Sequence, residues 1–229
     1  MIREPVYIYN DKVGCVDYVD HMGDDKRAAN AARVSLLNDD VDQLFVDDVN
    51  DKDKRLIRFL ARERHTSPFE HSTYTVRITC PIFVSKQIMR HRTFSYNEVS
   101  RRYTSKDIQF FIPQRLRRQA EKNLQCSTND EVADGLQALQ HYQGAVASAV
   151  VSYNQLLDAG VCREQARGIL PQCLYTEFYM TGNLLNFVKF LKLRLDPHAQ
   201  PEVQVIAEAI LHFLREDFPF TMGVFFDED

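Results

Sequence analysis

Side-chain chemistry concentrates in one stretch, Arg90-His91-Arg92-Thr93-Phe94-Ser95-Tyr96-Asn97-Glu98-Val99-Ser100-Arg101-Arg102-Tyr103. Arginines at 90, 92, 101 and 102 are interleaved with a histidine, two serines, one carboxylate and the rings of Phe94, Tyr96 and Tyr103. A guanidinium is a planar, permanently charged fork that binds phosphate or carboxylate through paired hydrogen bonds. Forks crowded together repel one another unless an anion lies among them, so the stretch implies a polyanionic ligand. Two other readings fit the composition: a solvated basic turn, or a loop that grips single-stranded nucleic acid by stacking and phosphate contact. The formal net charge of −4 weighs against general nucleic-acid binding, which calls for a broadly basic face. So does Glu98 among the arginines.

The elements around this stretch are legible from periodicity. Residues 72–80 alternate, with Tyr74, Val76, Ile78 and Cys80 on one side and Thr73, Thr75, Arg77 and Thr79 on the other, which predicts a half-buried strand. Pro81 suits the first turn of a helix, predicted from Ile82 to about His91, whose end delivers the arginines into the loop beyond. Upstream, 13–19 reads as a strand. An alanine-rich helix follows over about 26–34, capped by Asp24 or Asp25. Residues 38–53 read as an acidic loop, and 54–64 as an amphipathic helix broken before Pro68. Downstream, 104–130 reads as an irregular surface excursion. Helices are predicted over 131–159 with Gly160 at the C-cap, over 163–169, over 174–195, and from Pro201 to Phe213 or beyond. Strands first and helices later predict an α+β fold: a mainly antiparallel sheet from the N-terminal half packed with a helical C-terminal half. No Gly-x-Gly-x-x-Gly occurs, so any dinucleotide site here is not a Rossmann crevice.

The 229 residues suit one domain spanning 1–229 with a sizeable core. No apolar run reaches the length of a membrane span, and the first residues lack the apolar core of a signal peptide. Cysteines at 15, 80, 126, 162 and 173 are odd in number and show no Cys-x-x-Cys, which predicts reduced thiols in a cytoplasmic protein, or in host cytoplasm if the protein is viral.

The order Arg-His-Arg, two residues, Ser, four residues, Ser, one residue, Arg resembles the signature of the flavin-dependent thymidylate synthases. Further segments resemble the same family: His65-x-Ser67-Pro68-Phe69-Glu70-His71, Ala166-Arg167-Gly168-Ile169-Leu170-Pro171, Asn183, and Leu193-Arg194-Leu195-Asp196-Pro197-His198-Ala199-Gln200. The resemblance implies methylation of deoxyuridylate to thymidylate, with methylenetetrahydrofolate as carbon donor and FAD, reduced by NADPH, as hydride source. It also implies a homotetramer with shared active sites, and no metal. Deoxyuridylate contacts are implied from Gln87, Ile88, Met89, Arg90, Glu98, Val99, Ser100, Arg101, Arg102, Arg167 and Arg194. Arg194 is also the implied catalytic residue, at the uracil edge where N3 ionises. Flavin contacts are implied from Ser35, His65, Ser67, Glu70, Arg90, His91, Arg92, Glu98, Asn183, Leu185 and Lys189. The chain departs from the family pattern at Leu185, where many members carry arginine, and at Lys189, where asparagine or histidine is common.

Bland alternatives stand beside these roles. Arg194 near a helix C-terminus would favourably meet the macrodipole. Leu170-Pro171-Gln172-Cys173 faintly resembles the nucleophile setting of the cysteine-dependent thymidylate synthases, but a buried structural cysteine fits as well. His65, Glu70 and His71 could hold a metal, although the six-residue spacing across a proline is not a helix-face pair.

Overall fold

The computed structural model describes residues 3–34, 49–103, 108–124 and 126–227. Its centre is a five-stranded antiparallel sheet in the order β1 (Val6–Tyr7), β2 (Cys15–Met22), β3 (Thr73–Pro81), β7 (Tyr175–Asn183), β4 (Ser95–Glu98). A separate hairpin pairs β5 (Arg117–Gln119) with β6 (Ser127–Glu131). The helices are α1 (Asp25–Arg33), α2 (Asp51–Arg62), α3 (Ile82–Ile88), α4 (Gly135–Asp158), α5 (Arg163–Ala166), α6 (Leu184–Arg194), α7 (Pro201–Asp217) and α8 (Pro219–Phe226). The α+β class and the antiparallel sheet are as the sequence predicts.

The alternation of 72–80 separates the two faces of the sheet. On the covered face Val76 sits opposite Met180 and Ile78 opposite Phe178. α3, α6, α7 and α8 bury that face with Val84, Ile88, Phe187, Phe190, Ile206, Phe213 and Met222. The other face is polar: the Thr75 and Thr181 hydroxyls lie 3.0 Å apart, and Arg77 pairs with Asp17 at 3.2 Å. This is the two-sided pattern expected of an antiparallel sheet.

Local capping explains several boundaries. Asp24 accepts the Arg27 amide at 2.9 Å and starts α1. Asn50 and Asp53 form a reciprocal capping box at α2, so Asp51 to Asp53 belong to a helix and not to the acidic loop; residues 35–48 lie outside the described residues. Gly160, at φ +83°, follows α4, and the Gly160 and Val161 amides donate to the carbonyls of Leu157 and Leu156, closing a Schellman motif at the predicted place.

Three further expectations are corrected. The helix expected over 174–195 is a strand followed by a helix: 175–183 forms β7, the partner of both β3 and β4, and only 184–194 is helical. Inward Phe178 and Met180 alternate there with outward Glu177, Tyr179 and Thr181, and central pairing overrides a sequence that merges into the strong helix after it. Strands are therefore not confined to the first half. The excursion over 104–130 contains the β5–β6 hairpin, and Phe111 within it is buried. The basic stretch is not all loop, since Ser95–Glu98 is the edge strand β4.

Candidate active site

α3 ends at Ile88, and the chain turns through Met89 to Thr93 before entering β4. Tyr96 closes this turn, its hydroxyl lying 2.9 Å from the Ile88 carbonyl and 3.0 Å from that of His91. Burial raises the Tyr96 phenol to about 12, with the Arg194 charge acting the other way, so it remains a donor at neutral pH. Phe94 wedges the turn against α6, at 4.9 Å from Phe187 and 6.2 Å from Phe190.

Arg194, at the end of α6, reaches this turn. Its Nε donates to His91 Nε2 at 3.0 Å and its Nη2 donates to the Gln87 carbonyl at 3.1 Å. His91 can accept only if that nitrogen is unprotonated. Burial, reinforced by the Arg194 charge, pushes the imidazole pKa down. Burial also lowers the Arg194 guanidinium pKa, partly offset by Tyr96; an arginine nonetheless stays charged. The result is a half-buried cation held through two of its nitrogens, next to a neutral imidazole. The helix-terminus alternative for Arg194 does not account for these two side-on bonds.

Around this centre the predicted residues distribute as follows. Ile88 is buried in the core and Met89 packs against it. Arg90 and Arg92 are exposed. Glu98 accepts from the Thr176 hydroxyl at 2.7 Å, and the Val99 amide bonds the Glu177 carbonyl at 2.9 Å. The Ser100 hydroxyl accepts the Arg102 amide at 3.3 Å, and Arg101 donates to the Tyr175 carbonyl at 3.4 Å. The arginine-rich stretch is thus tied to β7 on one side and to α6 on the other, where Asn186 Nδ2 donates to the Thr93 carbonyl at 3.3 Å. Arg167 is exposed in the 3-10 turn Arg167–Ile169, which packs on α4.

The second group comes from the 3-10 turn Ser67–His71, which packs between α1 and α6. Pro68 and Phe69 are buried and hold Ser67, Glu70 and His71 at the surface, with His65 exposed just before them. Asn183 sits at the β7–α6 junction and caps α6 by accepting the Asn186 amide at 2.9 Å; it is not a mid-helix residue. Lys189 is exposed. Leu185 is 3% exposed and packs in the cluster that contains Phe69, Ile57 and Leu60, so its side chain anchors the 67–71 turn from below. Ser35 lies outside the described residues. Sequence reasoning missed Tyr96 and Thr176 as supports of the site, because both act through contacts between segments that no local pattern announces.

No group of three or more metal-ligating side chains occurs among the described residues. No helix among them is long and apolar enough to cross a membrane. All five cysteines are free.

The family described as thymidylate synthase complementing protein matches residues 17–220. The chain belongs to the flavin-dependent thymidylate synthase family. It is 41% identical over 212 residues to the flavin-dependent thymidylate synthase of Thermotoga neapolitana, covering 93% of this chain and 90% of that one. It is likewise 41% identical to one from Thermus thermophilus, covering 93% and 75%. Among solved structures it resembles the UMP/dUMP methylase PolB from Streptomyces cacaoi bound with 5-Br dUMP, with a TM-score of 0.81, 32% identity, and 92% and 93% coverage. The protein is therefore an enzyme of this family, and the resemblance read from the Arg-His-Arg stretch holds over nearly the whole chain.

Proposed function

We propose that this enzyme makes thymidylate from deoxyuridylate, taking the carbon from methylenetetrahydrofolate and the hydride from FAD that NADPH has reduced. The observation that carries the reading is the clamped Arg194 cation beside a neutral His91, next to a strand and turn rich in exposed arginines. A nucleotide substrate is supported by the 5-Br dUMP bound to the Streptomyces methylase.

The donor set fits a flavin. Exposed Arg90 and Arg92 suit its diphosphate, and Ser67 and Glu70 supply neutral and anionic partners from the neighbouring turn. Both groups flank α6, through the Asn186–Thr93 bond and the Phe69–Leu185 packing. Leu185 does not join them, and Lys189 is a nearby exposed cation on the same helix. When bound, the flavin supplies a hydride. The chain's own residues do the rest. Ser100, Arg101, Arg102 and Arg167 bind the nucleotide phosphate. Arg194 lies along the uracil edge and stabilises the charge that develops as N3 gives up its proton, an effect strengthened where water is partly excluded. Tyr96 and His91 hold the turn in which Arg194 is seated.

Cys173 takes no part in this reading. It is 4% exposed among Phe111, Tyr175 and Tyr142. A homotetramer with shared sites is supported by α4, a 24-residue helix on which Tyr153 is the buried residue while Leu136 and Val151 remain 75% and 55% exposed. A second copy covering that helix would also bring Arg167, which α4 supports, to a neighbouring site.

The test is direct. The purified protein should carry or take up FAD, visible as an absorbance band, and should form thymidylate from deoxyuridylate, methylenetetrahydrofolate and NADPH. Protein that refuses flavin and binds no deoxyuridylate would overturn the reading.

A further inference from the structure

A line of side chains, Arg117, Glu202 and Gln200, runs from the β5–β6 hairpin to Gln87. Arg117 donates to Glu202 through both terminal nitrogens, Nη1 to Oε1 at 2.8 Å and Nη2 to Oε2 at 2.9 Å. Gln200 Nε2 donates to Glu202 Oε2 at 2.8 Å. Gln87 Nε2 in turn donates to Gln200 Oε1. Gln87 is thereby held at two points, since its carbonyl also accepts from Arg194.

The chemistry of the groups gives this line a direction. A carboxylate only accepts, and a guanidinium only donates. Burial raises the Glu202 pKa, but the hydrogen bonds from Arg117 and Gln200 outweigh it and hold the carboxyl below its usual range. Glu202 is therefore an acceptor at neutral pH. Gln200 must turn its NH2 toward it, which leaves Oε1 for Gln87, and Gln87 must answer with an N–H. A glutamine amide standing alone is free to present either end. Here one end is spoken for, and Oε1 with the second N–H of Gln87 is left for a ligand.

We propose that Arg117, Glu202 and Gln200 form a positioning relay that fixes which end of the Gln87 amide faces the nucleotide. The proposal rests on the functional reading above together with the deoxyuridylate contact that the family resemblance implies for Gln87. The relay acts on recognition and not on the reacting atoms. It makes the hairpin, 30 residues of sequence away from Gln87 at Arg117, part of nucleotide selection. Gln200 lines a polar cleft of about 590 Å³ between the hairpin and the turn before α7, so changing it does not open the core.

The experiment measures deoxyuridylate affinity by calorimetry on the flavin-loaded protein, for wild type, Gln200→Met, Gln87→Ala and the double variant. Methionine keeps the volume of Gln200 and removes its polarity. Gln200→Met should weaken binding by about tenfold, the scale of one hydrogen bond, raise KM and leave kcat within about twofold. In the Gln87→Ala background the same change should cost less than about twofold, because the residue it acts through is gone. Equal losses in both backgrounds overturn the relay. Glu202→Gln, which removes the fixed polarity, should show the same non-additivity; if it fails to fold, Gln200→Met still decides. Wild-type protein that does not bind deoxyuridylate overturns the functional reading itself, whereas binding with independent effects overturns only the relay.

Discussion

Arg194 Nε donates to His91 Nε2 at 3.0 Å, so the imidazole that seats the catalytic candidate is usable only in its neutral form. His91 is packed edge-on against Phe190 at 4.9 Å, and burial together with the Arg194 charge holds its pKa below the ordinary histidine value. Protonation would remove the acceptor and place two cations side by side. Turnover should therefore fall as pH drops through the folded-state pKa of His91, which lies below about 6.5, and should be insensitive to His91 above it. His91→Gln offers an amide oxygen that accepts but does not titrate. A pH–rate profile should lose its acid limb in that variant; an unchanged limb would assign it to another group.

The two bonds of Arg194 come from two nitrogens, Nε and Nη2, of one planar fork, which no ammonium reproduces. Arg194→Ala should leave flavin bound and lower kcat by about 10²-fold or more, the scale for losing one preorganised charge contact. Arg194→Lys should recover only a small part. Flavin absorbance and single-turnover thymidylate formation measure the two effects separately. Normal turnover in the alanine variant would remove Arg194 from the mechanism.

Gly182 matters to the site through what it lacks. A Cβ at this position would stand 2.4 Å from the ring of Phe94, the residue that wedges the Arg-His-Arg turn against α6. Gly182→Ala should push the ring out, cost about 1–3 kcal/mol of stability by overpacking, and weaken flavin and nucleotide binding together. Thermal unfolding and flavin titration check this. A variant with lowered melting temperature but unchanged ligand affinities would show that Phe94 serves only the core.

Acid should destabilise the protein through three depressed carboxylates. Asp53 is fully buried and pairs with Lys26 at 2.9 Å and Arg33 at 2.5 Å. Asp217 receives Arg3 and Tyr74, and Glu202 receives Arg117 and Gln200. Burial pushes each pKa up, but the hydrogen bonds and opposite charges win and hold it below its usual value. Groups lowered on folding stabilise above their unfolded pKa of about 4 and lose that contribution as pH falls through the folded value. Denaturant midpoints should thus be flat near neutrality and drop below about pH 5. Asp53→Asn should cost about 3 kcal/mol at pH 7 and reduce the acid slope.

How much of this was legible in the sequence follows from range. β3 announced itself because its alternation is local and one of its faces is buried. The Arg-His-Arg stretch announced itself because four guanidiniums in so short a span have few uses. β7 did not, because a strand paired on both edges is specified by β3 and β4, far away in sequence, while the helix that follows it dominates the local pattern. Asp25 shows the same limit. It lies in the first turn of α1 as a cap candidate, yet its carboxylate accepts the Phe220 and Thr221 amides at 2.8 Å each and so caps α8, a helix not predicted at all. The Arg194–His91 bond joins residues 103 apart. Their family resemblance suggested two separate ligand roles, and only the fold brings them into contact.

Cys173 carries the last prediction, because it separates the proposed mechanism from a cysteine-based attack on uracil. A nucleophilic thiol must reach C5–C6 chemistry from an open position, and reactive cysteines sit in exposed, electropositive surroundings. Cys173 has neither. Its side chain is enclosed by aromatic rings, its carbonyl accepts the Phe111 amide at 2.8 Å, and burial, reinforced by the Cys173 thiol, raises the neighbouring Tyr142 phenol. Cys173→Ala should therefore cost about 1 kcal/mol of stability as a small buried truncation and leave thymidylate formation within about twofold of wild type. Thermal unfolding and a deoxyuridylate methylation assay on the same preparation test both halves. Retained fold with abolished turnover would bring the thiol back into the chemistry and displace Arg194 from its centre.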